Sequence, residues 1–427
     1  MKNSIKKICK SVISIMLVFA FCVDIIPQMV SAQEQVTIKY SIWDANQAEG
    51  MEAIIESFEN ENPDIKVELQ VSGWDQFWTQ LEASAGTNSM PDVFWMHPSQ
   101  VLRFGQEDNI LYDFSELLGS SEKVSKDVFV PEILELFTQN EKVLGIPKDY
   151  DTIALWYNKK IFDEAGMDYP NEEWTWDDLV TAAKELTDTE KGIYGFLAPQ
   201  HGQPGYYNII YSNGGYIVSE DYTESGYKLE ETQKAVQDWA NLGIEGISPS
   251  QADFAELDVN QYFQSGKAAM SYFGSWSTSA MAKNEFTNEN TDLTVLPSGT
   301  KGKISVISGL SNSVNANSKN LDAAIKFAEY LGSEEAMSIQ GKYGSAIPAR
   351  IGSDNTYLEA FPQFNVKAYL DQVENAKTQP QHISSARRES IENEFLVQVF
   401  GGQKRIEEIS DELVKSVEAV LAEDLKE

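Results

Sequence analysis

The spacing of apolar residues switches repeatedly between two periods, and this switching restricts the fold more than any other feature of the sequence. In residues 37–42 every second residue is apolar, as in a β-strand, whereas residues 51–58 have the spacing of a helix with one buried face. Alternation returns in residues 65–71, and residues 93–96 form the short apolar run typical of a buried parallel strand. Strands that alternate with helices predict an α/β fold built on open, mainly parallel sheets.

The second half of the chain repeats this organisation. Strands are predicted at residues 152–157, 268–273 and 293–296, and a variant capping box of Thr175 and Asp178 predicts the start of a helix. A chain of 427 residues is too long for one ordinary core, yet it carries no internal repeat and no long linker. This combination predicts two lobes that share several chain crossings.

The first residues have the three-part layout of a secretory signal. Four lysines fall within residues 2–10, residues 11–23 are uncharged and mostly apolar, and small residues end the segment at Ala32. The apolar run is shorter than the roughly 20 residues that a membrane span needs. We therefore predict a signal peptide at residues 1–32 and a protein that works outside the cytoplasm, at the cell surface.

The cysteines leave one alternative open at this end of the chain. Cys22 is a candidate for lipid attachment, but Phe21 occupies the preceding position, where lipoproteins have a small residue. Cys9 is the other cysteine and also lies in the predicted signal. Cleavage after Ala32 would leave no cysteine, so neither disulfides nor thiol chemistry are expected.

Composition argues against two classes of partner. The chain carries 66 acidic and 33 basic residues, a net charge of −33, which repels nucleic acid and anionic lipid headgroups. Nine Trp and 18 Tyr, by contrast, are more than a core needs. Such residues favour a site that offers flat apolar surfaces with polar edges.

Catalytic and metal-binding motifs are missing from the sequence. The three histidines are not at ligand spacing, and no phosphate-binding loop, nucleophile elbow or HExxH motif occurs. Asp149 and Asp151 form one acidic pair of the kind that glycoside hydrolysis uses, but such pairs arise by chance in so acidic a chain. We predict that the protein is not an enzyme, and we assign it no metal ligands and no cofactor.

Five blocks of the sequence stand in one recognisable order and span most of the chain. They are GIPKDYDTIALWYNKKIFDEAGMDYPNEEWTWDDLVTAAKEL, YSNGGYIV, FQSGKAAMSYFGSW, VLPSGTKGKISVISGLSNSV and YGSAIPAR. Together they resemble the family 1 extracellular solute-binding proteins, the maltose-binding-like carbohydrate receptors of ABC importers. Each block alone is a weak signal, and their order makes the resemblance specific.

The resemblance implies a two-lobed, periplasmic-binding-protein-like α/β fold (class II) with a ligand cleft between the lobes. Lobe 1 is expected at residues 33–148 with 312–342, lobe 2 at 153–305 with 347–427, and hinge crossings near 148–152, 306–311 and 342–347. The implied function is to bind a mono- or oligosaccharide by hinge closure, as a monomer, and to deliver it to the permease of an ABC transporter. The alternatives are a receptor for a non-sugar solute, a secreted glycosidase and a cell-wall adhesion protein.

Sugar rings have apolar faces and a belt of hydroxyls, so aromatic rings and planar polar groups just after strands are the expected contacts. Trp276 matches the position where the family commonly stacks a sugar, and the alternative is a core Trp beside Tyr272. Asp44 follows the first strand and is expected to accept hydroxyls. Trp43 and His97 stay open between ligand contact and a packing or capping role.

The crossings and the C-terminal segment supply the other candidates. Asp151 and Tyr150 stand at the first crossing, where Asp151 is either a hydroxyl acceptor or part of a hinge salt bridge. The remaining candidates are an aromatic platform at Tyr206 or Tyr207, a close backbone approach at Gly309 and Ser311, and a cation at Arg387 or Arg388. The other tryptophans that we single out are interpreted as packing: Trp74 and Trp78 on one helix face, Trp156, Trp174 and Trp176.

Overall fold

The computed structural model describes residues 35–107 and 110–424, so the predicted signal peptide and both cysteines lie outside the described residues. The strands are β1 Val36–Ile42, β2 Ile65–Val71, β3 Val93–Met96, β4 Thr138–Gln139, β5 Lys142–Val143, β6 Ile146–Pro147, β7 Asp149–Tyr150, β8 Ile153–Asn158, β9 Tyr194–Leu197, β10 Ala268–Gly274, β11 Thr291–Thr294, β12 Val306–Ile307, β13 Ser311–Val314, β14 Ile347–Pro348 and β15 Lys377–Thr378.

The α-helices are Ala48–Glu61, Trp74–Ser84, Pro98–Leu102, Ser115–Ser120, Pro131–Leu136, Lys159–Ala165, Trp176–Leu186, Tyr207–Ser212, Glu230–Ile244, Gln251–Glu256, Val259–Gln264, Thr278–Lys283, Glu285–Asn290, Leu321–Leu331, Glu334–Lys342, Asn355–Ala360, Lys367–Leu370, Ser385–Phe400 and Ser410–Asp424. Within the described residues, none of these helices has both the length and the apolar character that crossing a bilayer requires.

The first lobe is organised around a five-stranded sheet in the order β2-β1-β3-β13-β6. β1 runs parallel to β2 and β3, whereas β13 runs antiparallel to β3 and β6. The alternation in residues 37–42 has the predicted effect, because Ile38, Tyr40 and Ile42 are fully buried. The helix Ala48–Glu61 contributes its apolar face to the same core.

The second lobe contains a four-stranded sheet in the order β11-β8-β10-β9. β9 runs parallel to β10, but β8 runs antiparallel to both β10 and β11. The expectation of mainly parallel sheets is therefore wrong for this lobe. Apolar spacing reveals which face of a strand is buried but not its direction, and β8 and β10 are too far apart in sequence for a local connection to set it.

Three chain segments run side by side between the lobes. β7 pairs with β14, and Asp151 forms a bridge to Ser308. The Lys148 amide donates to the Leu310 carbonyl at 2.8 Å, and the Ala349 amide donates to the Lys148 carbonyl at 3.2 Å. The two-lobed α/β architecture is thus confirmed, whereas the residue limits assigned to each lobe stay a prediction.

Candidate functional site

A cavity of about 820 Å³ lies between the two lobes. Its wall forms where strands end: Trp43 and Asp44 follow β1, His97 follows β3, and the turn Ser275–Ser277 follows β10. Ligands of open α/β sheets bind beyond the carboxyl ends of the strands. This cavity is therefore the candidate site.

Trp276 lies in the 3₁₀ turn Ser275–Ser277, directly after β10. Its ring crosses the backbone of Gly274 so closely that a Cβ atom on residue 274 would lie 2.0 Å from the indole. Glycine at this position therefore gives the ring its room. The side chain packs partly against the core of the second lobe and partly lines the cavity.

On the first lobe, Trp43 lines the cavity within a cluster of aromatic rings. Its ring is edge-on to those of Trp74 and Trp95, with centroids 5.1 and 5.2 Å away. The four-residue spacing of Trp74 and Trp78 predicts packing for both, but only Trp78 is buried. Trp74 is 44 % exposed and lines the cavity. The signal that identifies Trp74 is its place at the start of a helix just after β2, because β2 is parallel to β1 and ends at the same edge of the sheet.

Asp44 and His97 line the cavity, and each also caps a short helical segment. The carboxylate of Asp44 accepts from the Asn46 amide at 2.9 Å and from Gln47 Nε2 at 3.1 Å. His97 Nδ1 accepts from the Ser99 amide at 3.2 Å, which leaves the ring proton on Nε2. Burial lowers the pKa of His97 to about 4, so its imidazole is neutral at physiological pH.

A buried ion pair lies beneath the cavity at the first crossing. Lys148 Nζ is 2.5 Å from Asp149 Oδ2, donates to Gln47 Oε1 at 2.8 Å, and stands 4.3 Å from the centroid of the Trp95 ring. Asp149 Oδ1 accepts from the Leu310 amide at 2.8 Å. Both carboxylate oxygens of Asp149 are thus held by the hinge.

Asp151 forms the neighbouring part of the wall and is only 9 % exposed. Its Oδ1 atom accepts from Gln203 Nε2 at 2.7 Å. Burial raises the pKa of Asp151 well above its usual value, and the nearby charge of Asp149 raises it further. The neighbouring Tyr150 is also buried and lines the cavity.

The inner end of the cavity holds Tyr206 and Tyr207, both buried. The Tyr207 hydroxyl donates to Glu392 Oε2 at 3.0 Å, and the two tyrosine rings meet edge-on at 5.0 Å. Arg388 is buried there and places Nη1 2.6 Å from Glu392 Oε1. The Tyr207 hydroxyl is thus engaged with an acidic group that the sequence did not single out.

Three predicted contacts lie away from the cavity wall. A Cβ atom at Gly309 would lie 2.2 Å from the Asp149 carbonyl oxygen, so close packing between crossings explains this glycine. Ser311 is fully buried in the first-lobe sheet, and Leu310 lines the cavity instead. Arg387 is 59 % exposed and places Nη1 2.5 Å from Glu423 Oε2. Successive side chains of an extended segment point to opposite faces, so a shift of one residue separates the buried Ser311 from Leu310, which lines the cavity.

Sequence reasoning also missed the amides of the wall. The cavity is lined by nine amide side chains: Asn46, Gln47, Gln200, Gln203, Asn260, Gln261, Gln264, Gln379 and Asn393. These residue types are common in loops throughout the chain, so no sequence signal marks them. Among residues 35–107 and 110–424, no group of three or more His, Cys, Asp or Glu side chains is arranged to hold a metal ion.

Known proteins resemble this chain in sequence and in fold. The galactooligosaccharide-binding protein of Bacillus subtilis is 26% identical over 322 residues, which cover 72% of each chain. The multiple sugar-binding protein of Streptococcus mutans is 25% identical and matches 72% of this chain and 73% of its own. An ABC substrate-binding protein from Listeria monocytogenes, solved in complex with cycloalternan, superimposes with a TM-score of 0.84 at 24% identity over 91% of this chain and 99% of its own.

Membership of one family follows from the match to a family model. Residues 44–338, more than half of the chain, match the family model of the bacterial extracellular solute-binding proteins. The matched segment runs from Asp44 in the cavity wall, through the first two crossings at Asp151 and Leu310, into the helix Glu334–Lys342. This chain therefore belongs to the bacterial extracellular solute-binding protein family.

Proposed function

We propose that this protein is the extracytoplasmic receptor of an ABC importer, and that it encloses an oligosaccharide between its lobes for delivery to the permease. One observation carries the proposal: aromatic surfaces from both lobes line a single polar cavity. Trp43 and Trp74 belong to the first lobe and Trp276 to the second. Rings on opposite sides suit a ligand whose faces are apolar and whose edges carry hydroxyls.

The size and the polar lining of the cavity support a ligand of more than one sugar ring. Its volume of about 820 Å³ lies in the upper part of the range of about 300–1,000 Å³ that small-molecule sites occupy. The nine wall amides described above each offer both donors and acceptors, which is what adjacent hydroxyls need. The galactooligosaccharide- and multiple sugar-binding relatives favour the same ligand class.

The proposal includes export through the predicted signal peptide and action as a monomer. It also assigns the acidic pair at the hinge, Asp149 and Asp151, to a binding site rather than to glycoside hydrolysis. Asp149 is held by Lys148 on one oxygen and by the Leu310 amide on the other. A hydrolase of the usual kind needs two carboxyl groups free to act on the scissile bond, and Asp149 is engaged by the hinge instead.

A thermal-shift screen over neutral mono- and oligosaccharides tests this function. A ligand at 100 times its dissociation constant stabilises the folded state by about 2.7 kcal/mol, so a true ligand raises the melting temperature visibly. We expect at least one oligosaccharide to do so, and chromatography should recover it unchanged after prolonged incubation. A panel without any stabilising carbohydrate, or cleavage of the bound one, would contradict the proposal.

A further inference from the structure

The cavity wall is strongly one-sided in charge. Its carboxylates are Asp44, Asp149, Asp151, Asp258, Glu389 and Glu392. Of the residues that the structure describes, no Lys or Arg side chain lines the wall. A neutral sugar needs acceptors for its hydroxyls but does not require so many negative charges. The excess of carboxylates therefore favours a ligand that carries a positive charge.

The two cations behind the wall are already paired. Lys148 neutralises Asp149, with 2.5 Å between Nζ and Oδ2. Arg388 pairs with both Glu392 and Glu389, with Nη–Oε1 distances of 2.6 and 3.2 Å. Neither cation forms an ion pair with Asp151: Lys148 attracts its carboxylate, but burial and the charge of Asp149 outweigh that attraction.

Asp151 is the buried carboxylate of the wall that forms no ion pair with either of these cations. Its single side-chain hydrogen bond comes from the neutral amide of Gln203 to Oδ1, and no described residue donates to Oδ2. The charged form of a carboxylate that is 9 % exposed and forms no ion pair with Lys148 or Arg388 is costly, because burial removes most of its hydration. A positively charged ligand group beside Oδ2 would remove that cost.

Ser275 is a second, independent indication that the cavity binds polar ligand groups. The residue is 1 % exposed and lines the cavity, and its hydroxyl oxygen has no hydrogen-bond partner among the described residues. Buried hydroxyls in folded proteins are almost always satisfied. A ligand hydroxyl or amino group would satisfy this one.

We propose that the site selects glycans by charge: it prefers sugars that carry a protonated amino group, with the ammonium beside Asp151, and it rejects uronate- and sulfate-bearing sugars. This inference rests on the proposed function and narrows its substrate class. An ammonium group beside Asp151 favours the charged form of its carboxylate, which burial disfavours in the free protein, whereas an acidic sugar meets repulsion in this carboxylate-lined site.

The test compares sugars that share one backbone and differ in charge. The probes are glucose, glucosamine and glucuronate, the same three forms of galactose, and the two tetramers cellotetraose and chitosan tetraose. Titration calorimetry at low salt, below the pKa of the sugar amine, should give about tenfold tighter binding for an amino sugar than for its neutral counterpart. The acidic counterpart should not bind measurably. Added salt should reduce the amino-sugar advantage, a readout that needs no variant.

Asp151→Asn keeps the shape of the side chain and removes its charge. We expect this variant to weaken binding of the amino sugars much more than binding of the neutral ones. Glu52→Gln is the matched control, because Glu52 is exposed on the helix Ala48–Glu61 and does not line the cavity. It should leave the ratio of the two affinities as in the wild type.

The outcomes separate this inference from the proposed function. Neutral sugars that bind as tightly as amino sugars, or a preference that survives both salt and Asp151→Asn, would overturn the charge assignment alone. Failure of every neutral and amino sugar, in these series and in the wider screen, would overturn the proposed function and the inference with it.

Discussion

Trp276 combines two roles that are usually separate in a tryptophan. One part of its side chain packs against the second-lobe core and the ring also lines the cavity, over a glycine that leaves no Cβ in its way. We expect a residue in this position to contribute to ligand binding more than to folding. Trp239, by contrast, is buried in the same lobe and its Nε1 donates to the Pro199 carbonyl at 2.8 Å.

We predict opposite results for alanine at these two positions. Trp276→Ala should weaken oligosaccharide binding by at least about tenfold, since it removes a stacking surface, and should change the melting temperature of the free protein little. Trp239→Ala should cost about 3–5 kcal/mol of stability through the cavity it creates. Calorimetry and thermal melts measure both quantities. A Trp276→Ala protein that melts several degrees lower but binds normally would place Trp276 in the core.

At the scale of single elements, the helix Trp74–Ser84 places two tryptophans differently although their spacing is that of one face. Trp78 packs under Phe104 and Phe77, whereas Trp74 stands in the first turn and reaches the cavity edge beside His97. The first turn of this helix lies next to the end of β2. A side chain in that turn therefore reaches the cleft, whereas the side chain one turn later does not.

Trp74→Ala and Trp78→Ala form a matched pair within this helix. We expect Trp74→Ala to reduce affinity for oligosaccharides more than for monosaccharides, since Trp74 widens the aromatic surface next to Trp43, and to leave the melting temperature nearly unchanged. Trp78→Ala should lower the melting temperature, because Trp78 is 8 % exposed. Equal losses of affinity for long and short sugars in Trp74→Ala would assign Trp74 to a single shared subsite.

For the whole molecule, contacts between the lobes on two sides of the cavity hold them together. Gln381 Nε2 donates to the carbonyls of Pro98, at 3.1 Å, and of Leu136. On another side, Lys283 Nζ donates to the Asn46 carbonyl at 3.4 Å. These bonds join segments that the predicted limits assign to different lobes, so we expect them to stabilise a closed arrangement over an open one.

Small-angle scattering tests this closure. The radius of gyration should fall when a binding sugar is added to the wild type. Gln381→Ala should increase the radius of the free protein and weaken apparent affinity, because closure then has to be driven by the ligand alone. Gln363→Ala is the matched control, since Gln363 bonds to Asn288 within the second lobe. Identical profiles for the free and saturated wild type, with no effect of Gln381→Ala, would contradict the closure.

The sequence by itself determined the elements and the general place of the site. Alternation in residues 37–42 settles which face of β1 is buried, and residues that follow strand ends, such as Trp43, Asp44, His97 and Trp276, do line the cavity. These properties are local, because neighbouring residues determine both the period of the apolar residues and the end of a strand. Ordered sequence blocks then indicated two lobes.

Only the tertiary structure decided which side chains meet. It separated Trp74 from Trp78, moved Arg387 to the surface, and made Gly309 a packing position. It also paired Lys148 with Asp149 and not with Asp151, although all three stand within four residues. The physical reason is that spacing identifies the face a residue belongs to, whereas its partner comes from a segment more than 100 residues away, as Gln47 does for Lys148 and Leu310 does for Asp149.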